Sequence, residues 1–230
     1  SVAFCDEILV VDSGSKDDTV AIAQNCGAGG IQRHWRGLGP QKQFAVEQAA
    51  HDWVLCIDAD ERVSDRLQRS LKETLAVSPA PTFCAYRFAR CNRFMGRYLR
   101  HGEGYPDWSL RFFNRQYAQW SADVVHEKVC FTGSTSTRVG TLIGDLLHDS
   151  ADSLENYLDK QNRYSTLAAN AAITQGKHAH AAHLLLSPLV RFIKFYFFRR
   201  GFLDGLPGLV HILIGCGTSF AKYAKMAALQ

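Results

Sequence analysis

Along its first seventy-odd residues the chain alternates short apolar runs with amphipathic stretches. Ile8 to Val11 is a continuous aliphatic run, the pattern of a strand buried on both faces, and it gives way to the polar Asp12-Ser13-Gly14-Ser15-Lys16-Asp17-Asp18-Thr19. Gly14 permits a sharp turn, and Ser15 or Asp17 can cap a helix predicted over Asp18 to Asn25 that ends near Cys26-Gly27. A short strand over Ala28 to His34, a loop at Gly37-Leu38-Gly39-Pro40, a helix over Gln41 to Ala50 and a strand over His51 to Asp58 follow. Ser64 then caps a helix reaching Val77, whose Leu67, Leu71 and Leu75 recur on one face. This alternation predicts an α/β fold, with a mostly parallel central sheet covered by helices.

Beyond Pro79 and Pro81 the texture changes. Thr82 to Arg90 alternates in the manner of a half-exposed strand, and aromatic and arginine residues dominate as far as Trp120. Trp108, Arg111 and Arg115 suit a groove for a polar, anionic acceptor, whereas Phe112, Phe113 and Tyr117 read as core. Residues 152 to 175 and 178 to 200 read as helices, with Ser153 as a cap and Gly176 as the break between them. A division at residue 150 is expected, with an α/β domain over 1 to 150 and a helical segment over 151 to 230.

The end of that helical segment mixes aromatic and basic residues in Phe192-Ile193-Lys194-Phe195-Tyr196-Phe197-Phe198-Arg199-Arg200-Gly201-Phe202-Leu203. Helices lying in a membrane interface are composed this way. Gly205 to Ala221 carries no Asp, Glu, Lys or Arg, yet its 17 residues include Pro207, His211 and four glycines, so lying on the membrane is favoured over crossing it.

Composition narrows the class. With 230 residues, 47% hydrophobic and 21% charged, the chain can bury a core in one globular domain with an appended segment. Its seven cysteines are odd in number, scattered and free of any CxxC pair, as in a reduced cytosolic protein. The formal charge of +4 is concentrated at the C-terminus, where residues 188 to 230 set Arg191, Lys194, Arg199, Arg200, Lys222 and Lys225 against Asp204 alone. Those cations are interleaved with large apolar blocks, which argues against a nucleic-acid binder. The opening Ser1-Val2-Ala3-Phe4-Cys5 reads as the tail of a helix feeding a strand. A preceding strand and helix of roughly 25 to 30 residues are expected to be missing, with weakened donor binding as the consequence.

The richest chemistry lies in Asp52-Trp53-Val54-Leu55-Cys56-Ile57-Asp58-Ala59-Asp60-Glu61, an apolar strand that delivers three carboxylates to its end. On an extended backbone Asp58 and Asp60 would share a face and could jointly hold a hard divalent cation beside a diphosphate.

Taken in order and at these separations, Val10-Val11-Asp12-Ser13-Gly14-Ser15-Lys16-Asp17-Asp18-Thr19, Gln41-Lys42-Gln43-Phe44-Ala45 and Asp58-Ala59-Asp60-Glu61 resemble the family 2 glycosyltransferases of GT-A fold, a Rossmann-like architecture. Pro106-Asp107-Trp108-Ser109-Leu110-Arg111-Phe112-Phe113, His126-Glu127, Leu147-His148 and Arg200-Gly201-Phe202-Leu203-Asp204-Gly205 are similar to the bacterial lipopolysaccharide-core enzymes that add glucose to inner-core heptose. The resemblance implies a UDP-sugar donor, a lipid-linked saccharide acceptor and a peripheral place on the cytoplasmic side of the inner membrane. It implies that Asp12 accepts a hydrogen bond from uracil, that Asp58 sits by the ribose or sugar, and that Lys42 adds charge near the donor. Asp60 would ligate a magnesium or manganese ion, with His148 completing the metal or phosphate shell.

Inversion at the sugar carbon requires one general base opposite the leaving group, and Glu127 matches that position, with Asp123 and Asp107 as rivals. Asp107, Trp108 and Arg111 are the implied acceptor contacts. Two departures stand out: Ser13 replaces an acidic residue of the wider family, and Gln43 stands where asparagine is expected. The competing readings are transfer to a polyprenyl phosphate and a nucleotide-sugar-binding protein without turnover.

Overall fold

The computed structural model describes residues 1–77, 82–123, 127–133, 138–149 and 153–230. Pro79, Pro81, His126 and the expected helix start at residue 152 lie outside the described residues. The chain divides into two compact units, the first comprising Ser1–Ala89 and Trp108–Leu146, the second Arg90–Asp107 and Leu147–Gln230. The second unit thus takes in residues 90–107 as well as the C-terminal helices.

In the first unit, β1 (Leu9–Asp12) and β2 (Gly29–Gln32) flank α1 (Thr19–Asn25) and pair in parallel, with Leu9 opposite Gly29 and Asp12 opposite Gln32. Then come α2 (Leu38–Gln48), β3 (Trp53–Leu55), β4 (Glu61–Val63) and α3 (Asp65–Leu75). The Ser64 hydroxyl accepts the Leu67 amide at the start of α3, as the sequence predicts, and the apolar stripe buries Leu67 and Leu71. Later strands are β5 (Ala85–Phe94), β6 (Arg97–Tyr98), β7 (Asp107–Asn114), β8 (Ala118–Trp120), β9 (Val129–Phe131) and β10 (Gly140–His148). The larger sheet has the order β3-β7-β5-β10-β4, with β6 paired to β5.

Alternation along the chain predicts mostly parallel pairing. Parallel geometry holds for β1 and β2, but Trp53 faces Asn114 and Leu55 faces Phe112 in an antiparallel β3–β7 pair. Local periodicity shows that a strand exists and says nothing of a partner arriving from much later in the chain. Two apolar clusters fill the unit: Leu67, Leu71, Phe88, Phe112 and Leu146 in one, and Val46, Val54, Phe113, Ala118 and Trp120 in the other. Phe112 and Phe113 are core as expected. Tyr117 is not: at 45% exposure it sits in the turn between β7 and β8, where its amide donates to the Asn114 carbonyl. A cavity of about 610 Å³ opens beside β1 and β3, walled by Ile8, Leu9, Val54, Leu55 and Leu71 and reaching Lys42.

The second unit contains three long helices, α4 (Leu154–Thr174), α5 (Ala181–Phe192) and α6 (Gly205–Ala228). Between α5 and α6 lie a π-helical turn, Ile193–Phe198, and a 3-10 turn, Gly201–Asp204. Antiparallel packing of α5 on α6 follows a fixed register: His183 stacks on Tyr223, Ser187 bonds Ser219 at 2.7 Å, and Arg191 lies where a Cβ on Gly215 would be 3.1 Å from its Nε. Along the other flank of α6, Tyr157 bonds His211 at 3.0 Å, Lys225 donates to the Asn162 carbonyl and the Ser165 hydroxyl, and Met226 packs on Ala169 and Ala172. The 24 residues of α6 exceed the charge-free run of the sequence, because Lys222 and Lys225 continue the helix.

Asp204, 2% exposed, fastens the start of α6 to the preceding hairpin. One of its oxygens accepts the Arg100 and His101 amides at 3.0 and 2.8 Å, and the other lies 3.1 Å from the His101 ring. The approach depends on small residues, since a Cβ at Gly201 would fall 2.8 Å from the Phe195 carbonyl and one at Gly208 would fall 2.6 Å from the Gly201 carbonyl. The Arg200 to Gly205 motif is therefore a structural clasp in this unit.

Candidate active site

One turn of α2 ties three segments of the first unit together. The helix begins at Leu38, three residues earlier than the sequence suggests, so Gln41, Lys42 and Gln43 all lie in its first half. Gln41 Nε2 donates to the Ser13 hydroxyl at 3.0 Å, reaching the loop after β1. Gln43 Oε1 accepts the Trp120 amide at 2.9 Å, fixing the end of β8. Between them Lys42 Nζ lies 3.0 Å from Asp58 Oδ1 and 2.8 Å from Glu127 Oε1.

The residue that permits this convergence is Gly39. A Cβ there would stand 2.2 Å from the Ser121 carbonyl oxygen, 2.6 Å from that of Asp123 and 3.3 Å from the Glu127 Cβ. Only a bare α-carbon lets Ser121, Asp123 and Glu127 approach the first turn of α2 this closely. The Gly39 amide then donates to the Asp123 carbonyl at 3.2 Å.

Asp58 is shared by two cations, for Arg111 Nη2 donates to its Oδ2 at 3.1 Å. Burial alone would raise the Asp58 pKa, but the Arg111 guanidinium and then the Lys42 ammonium outweigh it and hold the carboxyl below the usual aspartate range. Both cations lie over the Trp120 indole, Lys42 at 5.1 Å and Arg111 at 5.4 Å from its ring centre, while Trp120 Nε1 donates to Cys56 Sγ at 3.4 Å. Burial pushes the Cys56 thiol up, so it sits in the wall of the site as a neutral group.

The acidic stretch differs from its extended-strand reading. β3 stops at Leu55, and Ala59 and Asp60 form a turn closed by the Glu61 amide donating to the Asp58 carbonyl at 3.0 Å. Glu61, 3% exposed, returns the bond by accepting the Asp58 amide at 2.9 Å. Asp58 and Asp60 therefore do not share a strand face: Asp58 enters the ion-pair cluster, and Asp60 is exposed at the turn. The third carboxylate, Glu61, holds the turn in shape.

Asp12 sits where predicted, at the end of β1, and its oxygens accept the Gly14 amide at 2.8 Å and the Ser15 amide at 3.0 and 3.3 Å as well as the Ser15 hydroxyl. The Ser15 hydroxyl, followed by the Gly14 amide, draws its pKa down. A carboxylate offers about four lone-pair positions, so Asp12 first organises its own loop, and a ligand donor must share or displace one of these bonds.

The remaining expected residues have their own contacts. Arg111 is 6% exposed and belongs to the Asp58 cluster. Trp108 is exposed, with the Arg87 guanidinium 4.8 Å over its ring. Arg115 is turned to the end of α2, donating to the Ala49 carbonyl, and to Asp52. Asp107 and His148 belong to the second unit and are joined through Asn92, whose Nδ2 donates to Asp107 at 3.3 Å and whose Oδ1 lies 2.8 Å from His148 Nδ1. Asp107 also pairs with Arg90 at 2.8 Å.

Sequence reasoning missed Gly39, Trp120 and the two glutamines. The only signal was the placement of Gln41 and Gln43 on either side of Lys42. Among the described residues no group of three or more His, Cys, Asp or Glu side chains is placed to hold a metal unaided.

The family profile described as glycosyl transferase family 2 matches residues 5–136. An uncharacterized glycosyltransferase of Rickettsia typhi is 31% identical over 230 residues, covering 98% of this chain and 79% of that protein. LpsC of Rhizobium meliloti, a lipopolysaccharide core biosynthesis glycosyltransferase, is 32% identical over 232 residues, covering 98% of this chain and 84% of its own. The crystal structure of S. aureus TarS 1–349 superposes with a TM-score of 0.42 at 11% identity over 96% of this chain and 81% of that one, too loose a likeness to carry a residue comparison. The matched profile spans every segment that α2 ties together, and the chain belongs to glycosyl transferase family 2, as an α/β glycosyltransferase of GT-A fold.

Proposed function

We propose that the enzyme moves a hexose, glucose in the first instance, from a UDP-sugar to a sugar of the lipopolysaccharide inner core with inversion at the transferred carbon, working at the cytoplasmic face of the inner membrane. The observation that carries this reading is the array Glu127–Lys42–Asp58. Glu127 is a carboxylate paired with the Lys42 ammonium, and a carboxylate is the group that can take the acceptor's proton. In a single displacement the acceptor oxygen bonds to the sugar carbon as the bond from that carbon to UDP breaks. The acceptor proton passes to Glu127, and the electron pair leaves with the diphosphate. Lys42 orients the base, and Asp58, held by Lys42 and Arg111, accepts a hydrogen bond from a ribose or sugar hydroxyl.

A divalent ion fits this site as a shared ligand. Asp60 is exposed at its turn and offers one carboxylate, which suits magnesium or manganese completing its shell with donor phosphate oxygens and water. Bound there, such an ion would supply neutralisation of the charge on the departing UDP. The name of the Rhizobium relative favours a lipopolysaccharide-core acceptor over a polyprenyl phosphate.

Calorimetric titration with UDP, with and without Mn²⁺, tests the donor site: binding should depend on the metal and be lost in Asp60→Ala. Glu127→Gln should lower turnover on the order of a hundredfold to ten-thousandfold while UDP binding persists. A Glu127→Gln variant with full turnover removes Glu127 from the mechanism, and UDP binding indifferent to both metal and Asp60 removes the metal site.

A further inference from the structure

The second unit exposes an apolar face that the proposed chemistry does not use. On α5 and the π-helical turn, Leu185, Leu189, Ile193 and Phe197 recur every four residues, and Leu186 and Val190 lie beside them on the same face. All are exposed, Leu185 at 74%, and the stripe runs into Phe198 at 79% and then Phe202, Leu203 and Leu206. The opposite face of α5, bearing His183, Ser187 and Arg191, is the one packed on α6. A soluble surface does not ordinarily carry so long an unbroken apolar strip.

Two properties identify what covers it. Exposed cations, Lys194, Arg199 and Arg200, are interspersed in the second half of the strip, and residues 177 to 200 contain no Asp or Glu. A second copy of the chain would therefore bring no countercharge to this face, whereas an anionic headgroup layer would bring a continuous one.

The second property is what lies beside α6. By length and mean hydropathy, Ala181–Phe198 and Gly201–Ala228 could each cross a bilayer. Yet α4 runs alongside α6 from the Tyr157–His211 bond to the Ala172–Met226 contact, and its outer surface exposes Glu155, Asp159, Lys160 and Arg163. Hydrocarbon surrounding α6 would have to take in those charges as well, and each is costly there.

We infer that α5 and its π-helical turn form a one-leaflet docking surface for an anionic phospholipid membrane, with Leu185, Leu189, Ile193, Phe197 and Phe198 among the acyl chains and Lys194, Arg199 and Arg200 at the headgroups. The inference rests on the reading above only in that a lipid-linked acceptor lies at such a surface. The aromatic end of the strip, in which Phe192, Tyr196 and Phe197 pack on one another, supplies a wedge at headgroup depth.

Flotation of the full chain with vesicles of phosphatidylethanolamine and phosphatidylglycerol, against vesicles of phosphatidylcholine, tests it. Binding should favour the anionic vesicles. Replacing both Phe197→Ser and Phe198→Ser should weaken it on the order of a hundredfold, and replacing both Lys194→Gln and Arg200→Gln by about thirtyfold, on anionic vesicles alone. These positions are exposed and lie in the second unit, so UDP titration of the same variants should be unchanged. UDP binding that fails while flotation holds overturns the donor reading and leaves the docking surface standing. The docking surface is overturned if the unmodified chain ignores anionic vesicles, if the serine pair instead turns a stable dimer into a monomer with flotation unchanged, or if binding is indifferent to charge and survives alkaline carbonate as a spanning segment does.

Discussion

The two units of this chain treat charge and apolar surface in opposite ways. In the first, Lys42, Arg111, Asp58, Glu61 and Glu127 are drawn inward around an indole, and Phe88, Phe112, Phe113 and Leu146 of the sheet are covered. In the second, the Asp204 carboxylate is drawn inward as a clasp, and a row of leucine and phenylalanine side chains is left outside. Charges gathered inside are costly to desolvate and are retained where they orient a reaction; apolar groups left outside are costly in water and are retained where something covers them. Chemistry and docking are thus written into different parts of the chain, and separate substitutions should disturb them.

The strongest way to break the comparison is at the glycines that permit close approach in each unit. Gly39→Ala places a methyl group against two carbonyl oxygens that cannot rotate away. It should cost about 1–3 kcal/mol of stability and, by shifting Glu127 from Lys42, lower kcat on the order of a hundredfold. Gly201→Ala meets the flexible end of Ile212 at 2.3 Å and the Phe195 carbonyl at 2.8 Å. Its stability loss should be similar, with UDP affinity unchanged. Denaturant melts paired with UDP titration decide the matter, and equal loss of UDP binding in both variants would show that the units do not separate functionally.

Next in size is Asp204→Asn. The isosteric amide keeps one acceptor but loses the charge that binds two backbone amides and the His101 ring, and about 2 kcal/mol should be lost from the second unit. Hydrogen exchange should locate that loss in α6 and the Arg100 to Gly102 segment, with β1 to β4 protected as before.

Asp58→Asn sharpens the contrast through pH. Its carboxyl is held below the ordinary aspartate value of 3.8, because Arg111 and Lys42 overcome the effect of burial. A depressed pKa contributes stability that is fully present above the ordinary value and is lost as pH falls through the depressed one. Asp58 is more than a third exposed, at 37%, so the pairs with its two cations contribute about 1–2 kcal/mol rather than the larger figure for a buried pair. The variant should lose that amount at neutral pH and show a flatter acid limb in thermal melts between pH 5 and pH 2. An acid limb identical to that of the unmodified protein would assign acid sensitivity to another carboxylate, Asp12 first.

How much of this was legible in the sequence follows from how local each feature is. Strand β1, helix α3 with its Ser64 cap, the break at Gly176 and the order of the family motifs were readable, since each is set by residues within a few positions of one another. The shared face of Asp58 and Asp60 was misread because a three-residue strand ends before them and Glu61 folds the intervening backbone into a turn. The contact of Lys42 with Glu127 joins residues far apart in sequence and depends on the absence of a side chain at Gly39, for which no periodicity exists. The assignment of residues 90–107 to the helical unit was hidden for the same reason: Asp204, which holds that hairpin, lies about a hundred positions away.

The smallest expected effect falls on the α5–α6 register. Ser187 and Ser219 bond one another at 2.7 Å, with Ser219 buried, midway between the His183–Tyr223 stack and the Arg191–Gly215 approach. Ser219→Ala removes one partner and leaves Ser187 half-buried, where water can still reach it, so about 0.5–1.5 kcal/mol should be lost. The double replacement Ser187→Ala with Ser219→Ala should recover part of that loss, because no polar group is then left without a partner between the helices. Chemical melts of the two single variants and the double variant measure the coupling. A double variant no more stable than additivity allows would mean that the register is held by the aromatic stack and the glycine approach alone, and that the hydroxyl pair is incidental to how α5 presents its outer face.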